Sequence, residues 1–218
     1  MSDFTPKTPK QIFQYCYAEE STCHNTMDMV NYIINNNIKG DIIECGVGGG
    51  GQIALIKTAL ANRETTRNII AFDSYEGIPY GIESKDKVQA GIGKMAGMDG
   101  RLESTGITVH SLPQVIQNIN DCVGNTNDIT FIKGWFQETL PDYKPNKIAL
   151  LRLDGDLYES TLVCLEHLFK SVSKGGVVII DDYGLEGCKL ACDEYFAKIK
   201  YKPNYQDIAG STAKYFFK

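Results

Sequence analysis

Residues 149–161 read ALLRLDGDLYEST, an apolar run that breaks at Asp154-Gly155-Asp156. Such a run predicts a buried strand that delivers carboxylates at its C-terminal end. A second apolar run, GVVII at residues 176–180, ends in Asp181-Asp182. If both runs are strands of one parallel sheet, their acids meet at its carboxyl edge, which is where open α/β sheets bind ligands.

Carboxylates gathered at one edge need a counter-charge. Carboxylates this close together repel one another and cannot all stay ionised without a nearby positive charge. A divalent cation is therefore the natural partner of this cluster. The alternative is that the acids only cap helices and form turns, as Asp often does after a strand. Two acidic clusters at the ends of two strands favour the ligand site.

A glycine loop lies earlier in the chain. The predicted strand DIIEC (residues 41–45) is followed by GVGGGG (46–51) and a predicted helix over residues 52–62. Strand, glycine loop and helix form the first half of a nucleotide-binding unit, since the helix N-terminus offers free N–H groups. The next predicted strand, residues 68–72, ends at Asp73, which is placed to accept both hydroxyls of a ribose.

The glycine loop alone does not choose between ligands, because it also fits the dinucleotide pattern of NAD-binding proteins. Glu44, two residues before the first glycine, favours S-adenosylmethionine. Its charge would oppose a pyrophosphate, but it suits an amino-acid end and a positive sulfonium. The alternative for Glu44 is a solvated strand end.

The remaining patterns predict helices and strands in alternation. Helices are expected at residues 9–18, 26–36, 111–122, 158–171 and 185–199, and a strand at 128–133. Two strands near the C-terminus, 205–208 and 212–217, are expected to form an antiparallel hairpin. Together these elements predict an α/β fold with a doubly wound, mostly parallel seven-stranded sheet and one antiparallel strand at its end.

Composition narrows the class of protein. The 218 residues fit one domain (1–218), with N-terminal helices within 1–38. A net charge of −5 argues against a nucleic-acid or anionic-membrane surface. No run approaches the ~20 apolar residues that span a bilayer, and no signal peptide is seen. Seven scattered cysteines are expected as free thiols, which fits a cytoplasmic location.

Two further features point to ligand contacts. The segment 78–105 is long and glycine-rich, so we expect it to be a lid over the site. Trp135 follows the strand at 128–133 and can either wall an adenine ring or serve core or subunit packing.

Five motifs in this order resemble the macrocin O-methyltransferase family: ECGV (44–47), FDSYEGIP (72–79), KGWFQETLP (133–141), LDGDLYEST (153–161) and IDDYG (180–184). The resemblance runs from about Thr26 to the C-terminus. It implies a Rossmann-like class I methyltransferase with S-adenosylmethionine as donor and Mg²⁺ as metal. It also implies a small-molecule acceptor, a hydroxyl on a sugar of a natural product. Apart from the resemblance, we expect a homo-oligomer, a dimer.

The resemblance also assigns residues by position. The metal ligands would be Asp154, Asp181 and Asp182. The donor pocket would be lined by Glu44, Gly46, Val47, Gly48, Asp73, Ser74, Gly134, Trp135, Phe136 and Asp154. The family commonly has Trp-Arg where this chain has Gly48-Gly49.

Methyl transfer is an in-line displacement, so an enzyme mainly positions the reactants and removes the acceptor proton. Either Asp154 or Asp156 can take that proton. An NAD-dependent oxidoreductase is the first alternative, but it leaves both acidic clusters unexplained. A non-catalytic domain that binds S-adenosylmethionine is the second, but it would need no metal at this edge.

Overall fold

The computed structural model describes residues 4–86 and 99–218. Seven strands form one sheet in the order β3-β2-β1-β4-β5-β7-β6. The strands are β1 (Asp41–Cys45), β2 (Ile69–Asp73), β3 (Ile129–Lys133), β4 (Ile148–Leu153), β5 (Val172–Ile180), β6 (Gln206–Asp207) and β7 (Lys214–Phe217). Strands β1 to β5 are mutually parallel, and β7 is antiparallel to β5 and β6. The predicted doubly wound, mostly parallel sheet is confirmed.

The sequence suggested that the antiparallel strand lies at the end of the sheet, but the structure places it elsewhere. Strand β7 is inserted between β5 and β6. All four residues of β7 pair with Val177–Ile180 of β5, whereas β6 offers only two paired residues. The very short β6 therefore forms the edge, which limits the exposed ladder.

The helices are α1 (Pro9–Ile12), α2 (Glu20–Asn35), α3 (Gly51–Ala61), α4 (Leu112–Val123), α5 (Phe136–Thr139), α6 (Tyr158–Leu168) and α7 (Glu186–Lys198). Short 3₁₀ turns follow α1 (Phe13–Tyr15) and α6 (Phe169–Ser171).

Two predicted helices differ from the structure. The helix expected at residues 9–18 stops early because the backbone becomes extended at Cys16 (φ −99°, ψ 145°). Helix α2 begins at Glu20, six residues before its predicted start at Thr26. Its first turns are rich in polar residues, yet Thr22 and Thr26 are fully buried. A pattern that counts only apolar residues therefore predicts the start of this helix too late.

The core lies on both faces of the sheet, because alternate strand residues point to opposite sides. On one face, α6 and α7 contribute Leu165, Leu168 and Phe196 to the core. On the other face, α2, α3 and α4 contribute to a second apolar cluster. Every residue of β4 is buried, including Arg152, the one charged residue in that strand. Within the described ranges, no helix is long and apolar enough to cross a membrane.

Part of the expected lid is an irregular two-stranded arm, defined here as residues 77–86 and 99–107. Antiparallel bridges join Pro79 to Ser104 and Ile82 to Asp99. The amide of Tyr80 donates to the carbonyl of Arg101 at 3.2 Å. Residues 87–98 of the predicted lid lie outside the described residues.

Candidate active site

The carboxyl ends of the parallel strands meet at one level of the sheet. The amide of Gly46 donates to the carbonyl of Phe72 at 2.9 Å, and the amide of Asp154 donates to that of Cys45 at 2.8 Å. Gly46 has a φ of +90°, and a Cβ atom there would collide with the Asp154 carbonyl oxygen. Glycine is therefore required for β1 and β4 to deliver their loops side by side.

A cavity of about 290 Å³ opens at this edge. Its walls come from the loops after β1, β2, β3, β4 and β5. Most of the predicted donor residues line it: Gly46, Val47, Gly48, Asp73, Ser74, Trp135, Phe136 and Asp154. Glu44 is fully buried outside the lining, and Gly134 is not part of the lining either. The residues predicted for the donor pocket therefore lie at this cavity or, for Glu44 and Gly134, outside its lining.

Asp73 organises the glycine loop. One carboxylate oxygen accepts the amides of Val47 (2.7 Å) and Gly48 (3.1 Å), and the other accepts that of Tyr75 (2.6 Å). Burial raises the pKa of Asp73, and the three backbone donors oppose that rise. The second oxygen, Oδ1, also lies 3.5 Å from the Ser74 hydroxyl, but that hydroxyl donates at 2.9 Å to the Gly77 carbonyl. Since Asp73 lines the cavity, Oδ1 therefore retains acceptor capacity for a ligand hydroxyl.

A fully buried guanidinium lies beneath the acidic edge. Nη1 of Arg152 donates to Glu44 at 3.0 Å and to Asp154 at 2.8 Å, and Nη2 donates to Asp181 at 2.7 Å. Burial raises the pKa of Glu44 to about 8, although Arg152 opposes the rise. Burial likewise raises the pKa of Asp181 to about 7. Three carboxyl groups therefore share the single positive charge of Arg152, and the carboxyl edge of the sheet has an excess of acidic groups.

A second acidic group faces the cavity. Asp154, Asp156 and Asp182 each offer a carboxylate oxygen, and these oxygens lie within 4.8 Å of one another. The amide of Asp156 donates to Oδ2 of Asp182 at 2.8 Å, with Asp156 at a φ of +57°. Burial and the charge of Asp154 raise the pKa of Asp156 to about 7. Oxygen ligands at this spacing fit a hard divalent cation.

The structure divides the predicted metal ligands. Asp154 and Asp182 belong to the group facing the cavity, whereas Asp181 is turned to Arg152. Asp156, which the sequence offered only as a base, completes the group. The physical reason is the burial of Arg152, because a guanidinium removed from water needs carboxylates around it.

The N-terminal segment contributes residues that the sequence did not indicate. Tyr15, Cys16 and Tyr17 line the cavity. A Cβ atom on Gly49 would lie 2.7 Å from the Tyr15 carbonyl oxygen, and one on Gly48 would lie 3.3 Å from the Tyr17 ring. Glycine at both positions therefore makes room for this segment. The unusual Gly48-Gly49 pair was the available signal.

The hydroxyl of Tyr17, a lining residue, lies 2.6 Å from Nε2 of His110. Gln52, in the first turn of α3, is a further lining residue that the motifs did not indicate. Within the described residues, Oε1 of Gln52 and Oε2 of Glu44 are buried acceptors with no hydrogen-bond partner. Unpaired buried acceptors are costly, so a ligand that carries donors, such as an ammonium group, fits this region.

Comparison with known proteins gives related sequences. The family model described as macrocin O-methyltransferase matches residues 11–218. The demethyldecarbamoylnovobiocin O-methyltransferase of Streptomyces niveus is 38% identical over 176 residues, covering 80% of this chain and 64% of that protein. The 8-demethyl-8-(2,3-dimethoxy-alpha-L-rhamnosyl)-tetracenomycin-C 4'-O-methyltransferase of Streptomyces olivaceus is 33% identical over 190 residues, covering 86% and 69%. The chain spans about two thirds of the length of these relatives.

Solved structures of methyltransferases are also similar to this chain. The O-methyltransferase NovP has a TM-score of 0.77 and 34% identity, covering 91% of this chain and 79% of that chain. CalS11, a calicheamicin methyltransferase, has a TM-score of 0.70 at 19% identity over the same shares, which shows the fold alone. The class I methyltransferase fold is thereby confirmed. The chain belongs to the macrocin O-methyltransferase family, and it is an enzyme of the O-methyltransferase class.

Proposed function

We propose that the protein transfers a methyl group from S-adenosylmethionine to a sugar hydroxyl of a natural product, with Mg²⁺ at the acidic edge. One observation carries the proposal. Asp154, Asp156 and Asp182 converge at a cavity that also holds the glycine loop and Asp73. A donor pocket and an acidic cluster in one cavity are what metal-assisted methyl transfer requires.

The proposed donor site uses the loops after β1, β2 and β3. The free acceptor capacity of Asp73 suits the ribose hydroxyls, and Trp135 and Phe136 offer apolar surface for the adenine. Gln52 lines the cavity and holds an unpaired buried acceptor that suits the ammonium of the methionine end, with the buried Glu44 outside the lining. A pyrophosphate would meet this surplus of carboxylates unfavourably, which argues against NAD.

We propose Asp154 and Asp182 as metal ligands, because both the family motif and their positions at the cavity indicate them. When bound, Mg²⁺ would lower the pKa of an acceptor hydroxyl. Asp156 is the better candidate for the base, because its pKa is raised to about 7 and it faces the cavity. The family pattern gives Asp181 as the third ligand, through the Oδ2 atom that Arg152 does not contact, whereas the geometry offers Asp156, which joins Asp154 and Asp182 at the cavity.

Two matched variants test this division of roles. Asp156→Asn keeps the size of the side chain but cannot take a proton, so we expect kcat to fall about 100-fold or more while metal affinity is kept. Asp181→Asn should instead weaken metal affinity and leave activity recoverable at high Mg²⁺. The opposite pattern would make Asp156 the ligand and remove it as the base.

The proposed acceptor is a vicinal diol on a glycosyl group. Relatives are named as methyltransferases of a rhamnosyl tetracenomycin and of mycinamicin III, at the 4' and 3'' positions. Neighbouring hydroxyls can chelate a metal, which suits the acidic edge. We propose a glycoside ahead of a catechol for that reason.

Mass spectrometry of methyl transfer tests the function. S-adenosylmethionine is supplied with demethyldecarbamoylnovobiocin, with a simple methyl rhamnoside and with catechol as probes, with and without a chelator. We expect a gain of one methyl group on a glycoside, loss with the chelator and recovery with Mg²⁺. Full activity in the chelator, or methylation of catechol in preference to both glycosides, would contradict the proposal.

A further inference from the structure

A buried carboxylate joins the arm to the helix that follows the acidic turn. Asp86 is only 8% exposed, and within residues 4–86 and 99–218 it forms no ion pair. Its Oδ1 accepts the amide of Tyr158 at 2.7 Å, and its Oδ2 accepts the amide of Ile82 at 2.9 Å. A buried charge held by backbone amides is unusual enough to require an explanation.

Tyr158 is the first residue of α6, and the helix cap, Leu157, supplies no side-chain hydrogen bond. Asp86 therefore caps α6 from a distant part of the chain. It also lies against the first turn of α7, because a Cβ atom on Gly187 would collide with Asp86 Oδ1. Two helix N-termini, each with a partial positive charge, converge on this one carboxylate.

The capped helix begins directly after the turn of Asp154, Gly155 and Asp156. Arg152 holds the Asp154 side chain, and Asp182 accepts the Asp156 amide. Asp156 has a φ of +57°, in a region that is uncommon for non-glycine residues although Asp tolerates it better than most. Asp86 adds a further anchor, a hydrogen bond from the arm to the amide of Tyr158, two residues after Asp156.

From these contacts we infer that Asp86 is a positioning residue that couples the arm to the turn carrying Asp154 and Asp156. When Asp86 is seated, the arm and the acidic turn are ordered together, so the turn is correctly placed only when the arm covers the cavity. This inference rests on the proposed function for its consequence in catalysis, but the contacts themselves do not depend on that function.

A second contact beside Asp86 provides a matched control. Lys85 lies 3.1 Å from Glu194 of α7, and its ammonium lies 4.4 Å from the centre of the Tyr158 ring. Both charged side chains are partly exposed, at 32% and 46%. Such a contact contributes little, so Lys85→Ala removes an arm contact without removing the buried anchor.

Hydrogen exchange on the full chain tests the coupling. The amide of Asp156 is the reporter, because its acceptor, Asp182, is unchanged in every variant. In Asp86→Ala we expect this amide to exchange about tenfold faster or more, with the β5 amides unchanged. Asp86→Asn keeps one acceptor oxygen, so its Asp156 amide should exchange at a rate between those of the parent and of Asp86→Ala. In Lys85→Ala the rate should equal that of the parent.

Gly187→Ala gives an independent perturbation, since its methyl group displaces the Asp86 carboxylate without removing it. It should accelerate Asp156 exchange as Asp86→Ala does, and it remains informative if Asp86→Ala fails to fold. Faster exchange confined to Tyr158 and Ile82 would overturn the inference. Equal acceleration of the Asp156 and β5 amides in Asp86→Asn and Gly187→Ala would also overturn it, because Asp86 would then be a general stability residue.

Kinetics separate this inference from the proposed function. In Asp86→Ala, S-adenosylhomocysteine affinity should stay within about threefold of the parent, while methyl transfer to the rhamnoside or novobiocin probe falls about tenfold or more. If the parent neither binds S-adenosylhomocysteine nor methylates a probe, the proposed function fails, yet the exchange data still decide the anchor. A parent-like turnover in Asp86→Ala would overturn the coupling.

Discussion

The buried guanidinium of Arg152 offers a sharp test of how the acidic edge is held. Arg152→Met keeps the apolar stem and removes the charge that Glu44, Asp154 and Asp181 share. Removing one partner of a buried ion pair costs about 3–5 kcal/mol, because the remaining charges are left unpaired. For a chain of this size, that cost corresponds to a fall in Tm of roughly 6–20 °C.

The loss should depend on pH. The folded-state pKa of Glu44 is raised to about 8 from an ordinary value of 4.5, and that of Asp181 to about 7 from 3.8. When the pKa of an acid is higher in the folded state than in the unfolded state, the folded state binds the proton more tightly. The free energy of unfolding then falls as the pH rises from the lower pKa to the higher one. Stability of the parent should therefore fall as pH rises from about 5 to 8. The cost of Arg152→Met should be larger at the upper end, where the unpaired acids must ionise.

Thermal unfolding followed by circular dichroism measures both effects, with the chelator present so that no metal replaces the guanidinium. Arg101→Met is the matched control, because Arg101 is 49% exposed and pairs with Asp99 and Glu103 at the surface. That variant should lose less than about 1 kcal/mol. If Arg152→Met unfolds with the parent at pH 8, or if its loss is greater at pH 5, the electrostatic account of this edge is wrong.

Three further outcomes are expected. Asp73→Ala should weaken S-adenosylmethionine binding about tenfold or more in calorimetry, because charged hydrogen bonds of about 1.5–3 kcal/mol are lost, whereas the exposed Asp142→Ala should not; unchanged affinity would remove Asp73 from the donor site. Gly46→Ala should abolish binding through collision with the Asp154 carbonyl, and Gly106→Ala, also at positive φ but with nothing within 4 Å, should bind as the parent does; equal binding by both would refute the steric argument. Limited proteolysis should cut within residues 78–105 in the free protein and be suppressed by S-adenosylhomocysteine with an acceptor probe, so equal cutting would argue against a lid.

The sheet and the edge that carries the site were predictable because local patterns decide them. An apolar run followed by Asp-Gly-Asp identifies a buried strand and its carboxyl end, as at β4. The same logic placed Asp73 at the end of β2 and the glycine loop after β1. These features need no knowledge of distant contacts.

The division of the acids was not predictable in the same way. Arg152 lies inside an apolar run, and the sequence does not indicate that three strands direct carboxylates towards it. Asp181 and Asp182 are adjacent, yet one meets the guanidinium and the other lies on the cavity. That choice depends on side-chain direction, which is set by burial on each side of the sheet.

The N-terminal segment escaped prediction for a different reason. Tyr17 and His110 are distant in sequence, and neither belongs to a motif. Their contact depends on the extended backbone at Cys16 and on the space left by Gly48-Gly49. Contacts of this kind follow from the assembled fold.

Diffraction from crystals grown with S-adenosylhomocysteine and Mn²⁺ would show whether donor and metal share the acidic edge. The anomalous signal of manganese locates the metal without reference to activity. We expect one manganese peak bound by Asp154 and Asp182, with the ribose of S-adenosylhomocysteine on Asp73. No manganese at this edge at saturating concentration, or S-adenosylhomocysteine bound outside the cavity, would contradict this expectation.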